Sequence, residues 1–208
     1  QADPDYYFGV ETLKEIFPQA DVVTTPAVLE KLTAKLAGKV DAAAGAAIIV
    51  NSGNANAFTG KGGQVAVDSV TGSVAKALGL PRERVFSSST GVIGEPLPAE
   101  RITAIIGDLA GKLDPAGAAG AARAIMTTDT FAKGSAASFE GDGGTINIVG
   151  IAKGSGMIAP DMATMLVYLF TDAKISAENL QKILSKLMDE TFNAITVDSD
   201  TSTSDALI

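Results

Sequence analysis

The chain has 208 residues, 46% of them hydrophobic, with 24 acidic against 16 basic side chains for a net charge of −8. That length supports one sizeable core or two small ones, and the negative balance, with no Lys/Arg cluster, argues against a nucleic-acid partner. It has no cysteine and no histidine, which excludes disulfides, thiolate nucleophiles and metal sites, and the commonest general base and metal ligand.

Apolar runs such as 42–50 are far short of the roughly 20 residues that a membrane span needs. Residues 1–7 lack the basic and apolar regions of a secretory signal, so a cytoplasmic location and no membrane partner are expected. Val10, Leu13 and Ile16 recur at helical spacing, Asp21 to Thr24 predict a short strand, and Leu29, Leu32 and Leu36 share one face of a further helix. Ala46 to Val50 predict a buried strand ending in the small, polar run from Asn51 to Gly60, where the backbone can approach something closely.

From Gly63 to Leu80 the positions Val67, Val70, Val74, Ala77 and Leu78 form one stripe, with Gly79 as a stop signal. Arg84 to Ser88 predict a strand feeding a tight turn over Ser89 to Gly94, and Pro96 and Pro98 then break the chain. Helices are expected over 99–113 and 118–126. A hairpin is expected around Gly141-Asp142-Gly143-Gly144, its second arm, Thr145 to Ala152, delivering Lys153 to a loop. Thr164 to Phe170 predict a central strand, and Ser176 caps a helix with Leu180, Ile183, Leu184 and Leu187 on one face, a line that Phe192 continues. Alternating strands and helices make the class α/β or α+β.

Without histidine or cysteine, acyl transfer needs a hydroxyl activated by an amine, either a lysine or the α-amino group released when a chain cuts itself before a Thr or Ser. The Ala163-Thr164 bond suits such a cut. A terminal α-amine has a reference pKa of about 8, so much of it is neutral near pH 7 to 8 and can take the proton of its own hydroxyl. On isolated sequence Thr164 reads equally as a strand threonine, Thr90-Gly91 as an ordinary turn, Lys153 as a solvated lysine at a strand end, and Thr127 and Thr128 as the end of an Ala-rich helix. Asn51, Asn54 and Asn56 fit a polar lining or plain turn chemistry. The run Asp198 to Asp205 lacks the Gly and Glu of a calcium loop, and Gly60-Lys61-Gly62-Gly63 lacks phosphate-loop spacing.

Five ordered blocks change those odds: Asn51 to Ala57, Ser89 to Pro98, Ala124 to Phe131, Lys153 to Leu166 and Asn193 to Asp205. Through them the chain resembles ornithine acetyltransferase, the glutamate N-acetyltransferase of arginine biosynthesis. The resemblance implies an α+β sandwich of layered sheets flanked by helices, like the fold of self-processing aminopeptidases. It implies self-cleavage between Ala163 and Thr164, after which Thr164 takes an acetyl group from N-acetylornithine and passes it to glutamate. It casts Thr90 and Gly91 as the oxyanion hole and Thr127, Lys153 and Thr164 as substrate contacts. No metal or organic cofactor follows from it, and acetyl-CoA as a second donor stays open. The partners implied are those small molecules and, after the cut, a hetero-oligomer of the two pieces.

The expected organisation is an atypical segment over residues 1–45, in which Phe17 to Val28 faintly resembles metallo-β-lactamase-like hydrolases, and a family-like domain over 46–208, divided at 163/164. The family's chains are much longer, so an incomplete site is expected. Phe58, Ala132 and Asp161 stand where the family commonly has Cys, Pro and Asn. Two rival readings are a self-processing amidase or aminopeptidase, and an inactive fragment or chimera.

Overall fold

A computed structural model describes residues 45–114, 116–158, 165–200 and 205–208. The predicted opening helix, strand and helix, and the scissile pair Ala163 and Thr164, lie outside these. Among the described residues no helix is long and apolar enough to cross a membrane.

Strand β1 (Ala47–Asn54) pairs in parallel with β2 (Val85–Val92), joined by helix α1 (Gly60–Leu78) and a short 3-10 turn. Helices α2 (Ala99–Ala110) and α3 (Ala118–Ala124) follow. The second sheet has the order β3-β4-β5-β6: β3 (Lys133–Gly141) and β4 (Gly144–Lys153) form the expected hairpin, β5 (Leu166–Thr171) runs antiparallel to β4, and β6 (Ala206–Leu207) parallel to β5. Helix α4 (Ala177–Leu187) starts with the Ser176 hydroxyl accepting from the Asn179 N–H at 3.3 Å, the predicted cap.

The layers follow from which faces are apolar. Ile48 and Val50 of β1 turn toward Leu166 and Tyr168 of β5, with Ile151, Ile125, Ala206 and Ile208 filling the space between the sheets. Full burial of side chains such as Leu166 stabilises by about 1.5–3 kcal/mol each. On the other face of β1 and β2, Ala47, Ile49 and Val85 pack against Val74, Ala75 and Leu78 of α1 and Ile102 and Ile106 of α2. Beyond the second sheet, Val167 and Met165 meet Ile158, Leu207 and Phe192. This is the expected mixed α/β architecture of layered sheets flanked by helices.

Several local expectations shift. β1 continues through Asn51 to Asn54, and β2 through Thr90 and Gly91, so the predicted loop and tight turn are partly strand. The cause is parallel pairing: Ser52 lies opposite Thr90 and Gly53 opposite Gly91, and glycine on both sides lets the backbones close up. The buried stripe of α1 runs through Ala66, Val70, Val74 and Ala75, while Ala77 is exposed. α2 stops at Ala110, leaving Leu113 outside it and exposed. The predicted apolar face of α4 exists, but Leu180, Ile183 and Leu187 are all exposed.

Candidate active site

The edge strands of the first sheet place the Ser89-Thr90-Gly91 block. Ser89 Oγ donates to Asn51 Oδ1 at 2.6 Å across the β1–β2 pair, and Ser52 Oγ donates to the Ala124 carbonyl at 2.7 Å, fastening the end of α3 to β1. Asn54 donates to the Glu95 and Pro96 carbonyls and accepts from the Asn56 N–H, so Asn51, Asn54 and Asn56 serve as local backbone ties. Within this frame Thr90 is 1% exposed, and its Oγ1 has no hydrogen-bond partner among the described residues. A buried hydroxyl left open is unusual, because an unmade hydrogen bond costs about 1–3 kcal/mol. Gly91 follows with φ +129°, a left-handed conformation, and a β-carbon there would lie 2.3 Å from the carbonyl carbon of Gly53.

A polar cluster sits where α3 gives way to β3 and where β4 ends. Lys153, the last residue of β4, is 1% exposed, and its Nζ donates to Thr127 Oγ1 at 3.1 Å. Thr127 Oγ1 is its one hydrogen-bond partner among the described residues, though an ammonium carries three donors. Burial pulls the Lys153 pKa below the ordinary lysine value; the Asp129 charge opposes this, Lys133 adds to it and Asp205 opposes it. Burial rules out the alternative of a solvated strand-end lysine, and Lys153 lies within hydrogen-bond distance of Thr127.

Asp129, which sequence reasoning passed over, completes the cluster. Its side chain is shut off from solvent and accepts from Lys133 Nζ at 2.5 Å, the Gly154 N–H at 2.7 Å and the Thr127 N–H at 3.2 Å. Burial pushes this carboxyl up, but the bonds from Lys133, Gly154 and Thr127 outweigh that and hold it below its ordinary value. Its place two residues after Thr127, in one of the five blocks, was the available signal.

The residues on either side of 159–164 are held by one stretch of chain. The Ile158 carbonyl accepts from the Val197 N–H at 2.9 Å and from Thr196 Oγ1 at 3.1 Å, and the Asp198 carboxylate accepts from the N–H groups of Met157 at 2.5 Å and Ile158 at 3.0 Å. On the other side the Met165 N–H donates to Asp205 Oδ1 at 2.7 Å. Leu166, two residues after Thr164, is the register partner of Lys153. Burial pushes the Asp205 carboxyl up, against the Met165 bond and the Lys153 charge. Asp205 also lines a cavity of about 260 Å³ with Ser87, Ser88, Ser89, Asn56 and Leu166, so the middle of β2 and the start of β5 face one space. Sequence reasoning weighed the run from Asp198 to Asp205 only as a calcium loop, which it does not fit, and did not see that these carboxylates hold backbone N–H groups.

The ArgJ family model matches residues 11–208, a span that takes in most of the segment set apart at 1–45. The chain is 61% identical over 175 residues to an arginine biosynthesis bifunctional protein of Ruegeria pomeroyi, covering 84% of this chain and 42% of that protein. It is 48% identical over 197 residues to the same-named protein of Nitrobacter winogradskyi, covering 95% of this chain and 47% of that protein. The chain thus spans less than half the length of these relatives. It resembles the crystal structure of the arginine biosynthesis bifunctional protein of Bacillus halodurans with a TM-score of 0.51 and 42% identity, over 56% of this chain and 61% of that one.

Proposed function

The chain belongs to the ArgJ family, and on that premise we propose that it forms part of an acetyltransferase of arginine biosynthesis that moves an acetyl group from N-acetylornithine to glutamate. The observation that carries this reading is the buried Lys153 ammonium, bonded to the Thr127 hydroxyl at the strand end that pairs with Leu166. A desolvated cation with unused donors suits a carboxylate, which both amino-acid substrates have.

In this scheme Thr164 Oγ attacks the Ala163 carbonyl carbon, the peptide C–N bond breaks, and water hydrolyses the resulting ester, leaving a free Thr164 α-amine. That amine then takes the hydroxyl proton as Oγ attacks the acetyl carbonyl carbon of N-acetylornithine. The amide C–N bond breaks, the proton goes to the departing ornithine nitrogen, and an acetyl ester remains on Thr164. The glutamate amine attacks that ester, forming N-acetylglutamate and returning the proton to Thr164 Oγ. The open Thr90 hydroxyl and the Gly91 N–H are assigned to the oxyanion of each tetrahedral intermediate.

The two pieces stay together as a hetero-oligomer in this reading, a view supported by β4 pairing with β5 and by Ile158 bonding to Val197 across the proposed cut. A cytoplasmic setting accords with the biosynthetic role named in the relatives. Because the chain spans less than half of those relatives, full activity is assigned to a polypeptide of their length. The test is intact mass combined with an acetyl-transfer assay on such a polypeptide: two pieces split before Thr164, with N-acetylglutamate formed, support the reading. One uncut chain, or acetate released to water in place of transfer, overturns it.

A further inference from the structure

We propose that Asp129 is the positioning residue of the carboxylate-holding pocket: through one buried carboxylate it fixes Thr127 and the Lys153–Gly154 corner against each other. The inference rests on the role given to Lys153 above and extends it to a residue that touches no substrate.

The geometry carries it. Oδ1 of Asp129 accepts from the Gly154 N–H, the residue after Lys153, and Oδ2 accepts from the Thr127 N–H, the residue whose hydroxyl Lys153 meets. Two strand-distant backbone points are thus pinned to a single planar group, which sets the spacing between the Thr127 hydroxyl and the Lys153 ammonium. The carboxylate's remaining partner is Lys133 Nζ at 2.5 Å, itself 4.6 Å from the Phe131 ring centroid.

The charges around Lys153 come from three elements. Asp129 approaches from the connection between α3 and β3, Lys133 from the start of β3, and Asp205 from the turn into β6. Asp129 and Asp205 favour the ammonium and Lys133 disfavours it, so the pocket keeps its cation only while the acids outweigh the basic neighbour and burial. A purely structural tie between two loops has no such sign.

The test compares the pH profile of KM for N-acetylornithine in three variants of the chain extended to its relatives' length. Asp129→Asn keeps the shape and loses the charge; the alkaline rise in KM is expected at lower pH than in wild type, with KM at pH 8 up about tenfold, the size of one charge-assisted hydrogen bond. Lys133→Met removes the opposing cation, and the alkaline rise is expected at higher pH. Opposite movements support the inference. Profiles that stay put, or move in the same direction, overturn it; if Asp129→Asn does not fold, Asp129→Glu, which keeps the charge and displaces the carboxylate, is expected to raise KM, and an unchanged KM there overturns the positioning role. Lys153→Met separates the two levels of argument. A large KM increase there with unmoved profiles elsewhere sinks only the Asp129 role, whereas an unchanged KM removes the carboxylate reading and this inference with it.

Discussion

Gly91 lies opposite Gly53 across the parallel β1–β2 pair, so closely that a β-carbon on Gly91 would sit 2.3 Å from the Gly53 carbonyl carbon and 2.7 Å from the Asn54 nitrogen. Its φ of +129° separately disfavours any side chain. Gly91→Ala is therefore expected to destabilise by at least about 2 kcal/mol, since both the strand pairing and the backbone conformation must give way. Thermal melting checks this, and an unchanged melting temperature would show that the β1 backbone moves aside freely. A rate loss in any Gly91 variant consequently mixes strand displacement with loss of an oxyanion donor.

Thr90→Val separates those effects. The Thr90 hydroxyl is buried and unpartnered among the described residues, so replacing it with a methyl group of similar shape is expected to leave the melting temperature unchanged or raised. If the hydroxyl serves the oxyanion, kcat should drop about 10²–10³-fold while KM hardly changes. A rate within a factor of two or so of wild type would remove Thr90 from the catalytic scheme.

For Thr164, the expected outcome of the Ala variant is an uncut polypeptide on a denaturing gel and loss of acetyl transfer, because one hydroxyl is assigned both attacks. Thr164→Ser should retain part of each. Normal processing of the Ala variant would place the cut, or its nucleophile, elsewhere.

Asp205 sets a pH dependence whose sign can be worked out. Burial raises its folded pKa above the ordinary aspartate value of 3.8, so the folded state holds the proton more tightly than the unfolded chain. Its contribution to stability is fully present below 3.8 and is lost as pH rises through the raised folded value. Asp205→Asn retains an oxygen to accept from the Met165 N–H and removes the charge. The variant is expected to melt higher than wild type at pH 7 and to lose that advantage as the pH falls below 3.8. Melting curves at several pH values decide, and an advantage that persists at low pH would point to packing in place of titration.

Leu180, Ile183 and Leu187 share a face of α4 and are exposed, as are Ile195 and Val197. Exposed apolar side chains of this kind favour association where they form a patch. The 208-residue chain is expected to run above its monomer size on size exclusion and to show negligible transfer, and the chain extended to its relatives' length to run as a defined species with activity. A soluble, active 208-residue monomer would overturn this.

The apolar period of the chain sufficed to place several elements: helix α1 with its Gly79 stop, the hairpin about Asp142-Gly143, the Ser176 cap and the buried strand after residue 164 all follow from local rules, since periodicity and turn chemistry act over a few residues. Composition sufficed for one chemical exclusion, because these 208 residues contain no imidazole or thiol to serve as base or nucleophile. Pairing could not be read so locally. That Thr90 and Gly91 belong to a strand depends on Gly53, 38 positions away in the chain, allowing the backbones to close together. The state of Lys153 was equally hidden, since a lysine at a strand end is ordinarily solvated. Only the fold closes Thr127, Asp129 and Lys133 over it, and burial and the sum of neighbouring charges are properties of residues distant in sequence. For the same reason no role for Asp129 or Asp205 could be read locally until tertiary contacts gave their carboxylates backbone N–H groups to hold.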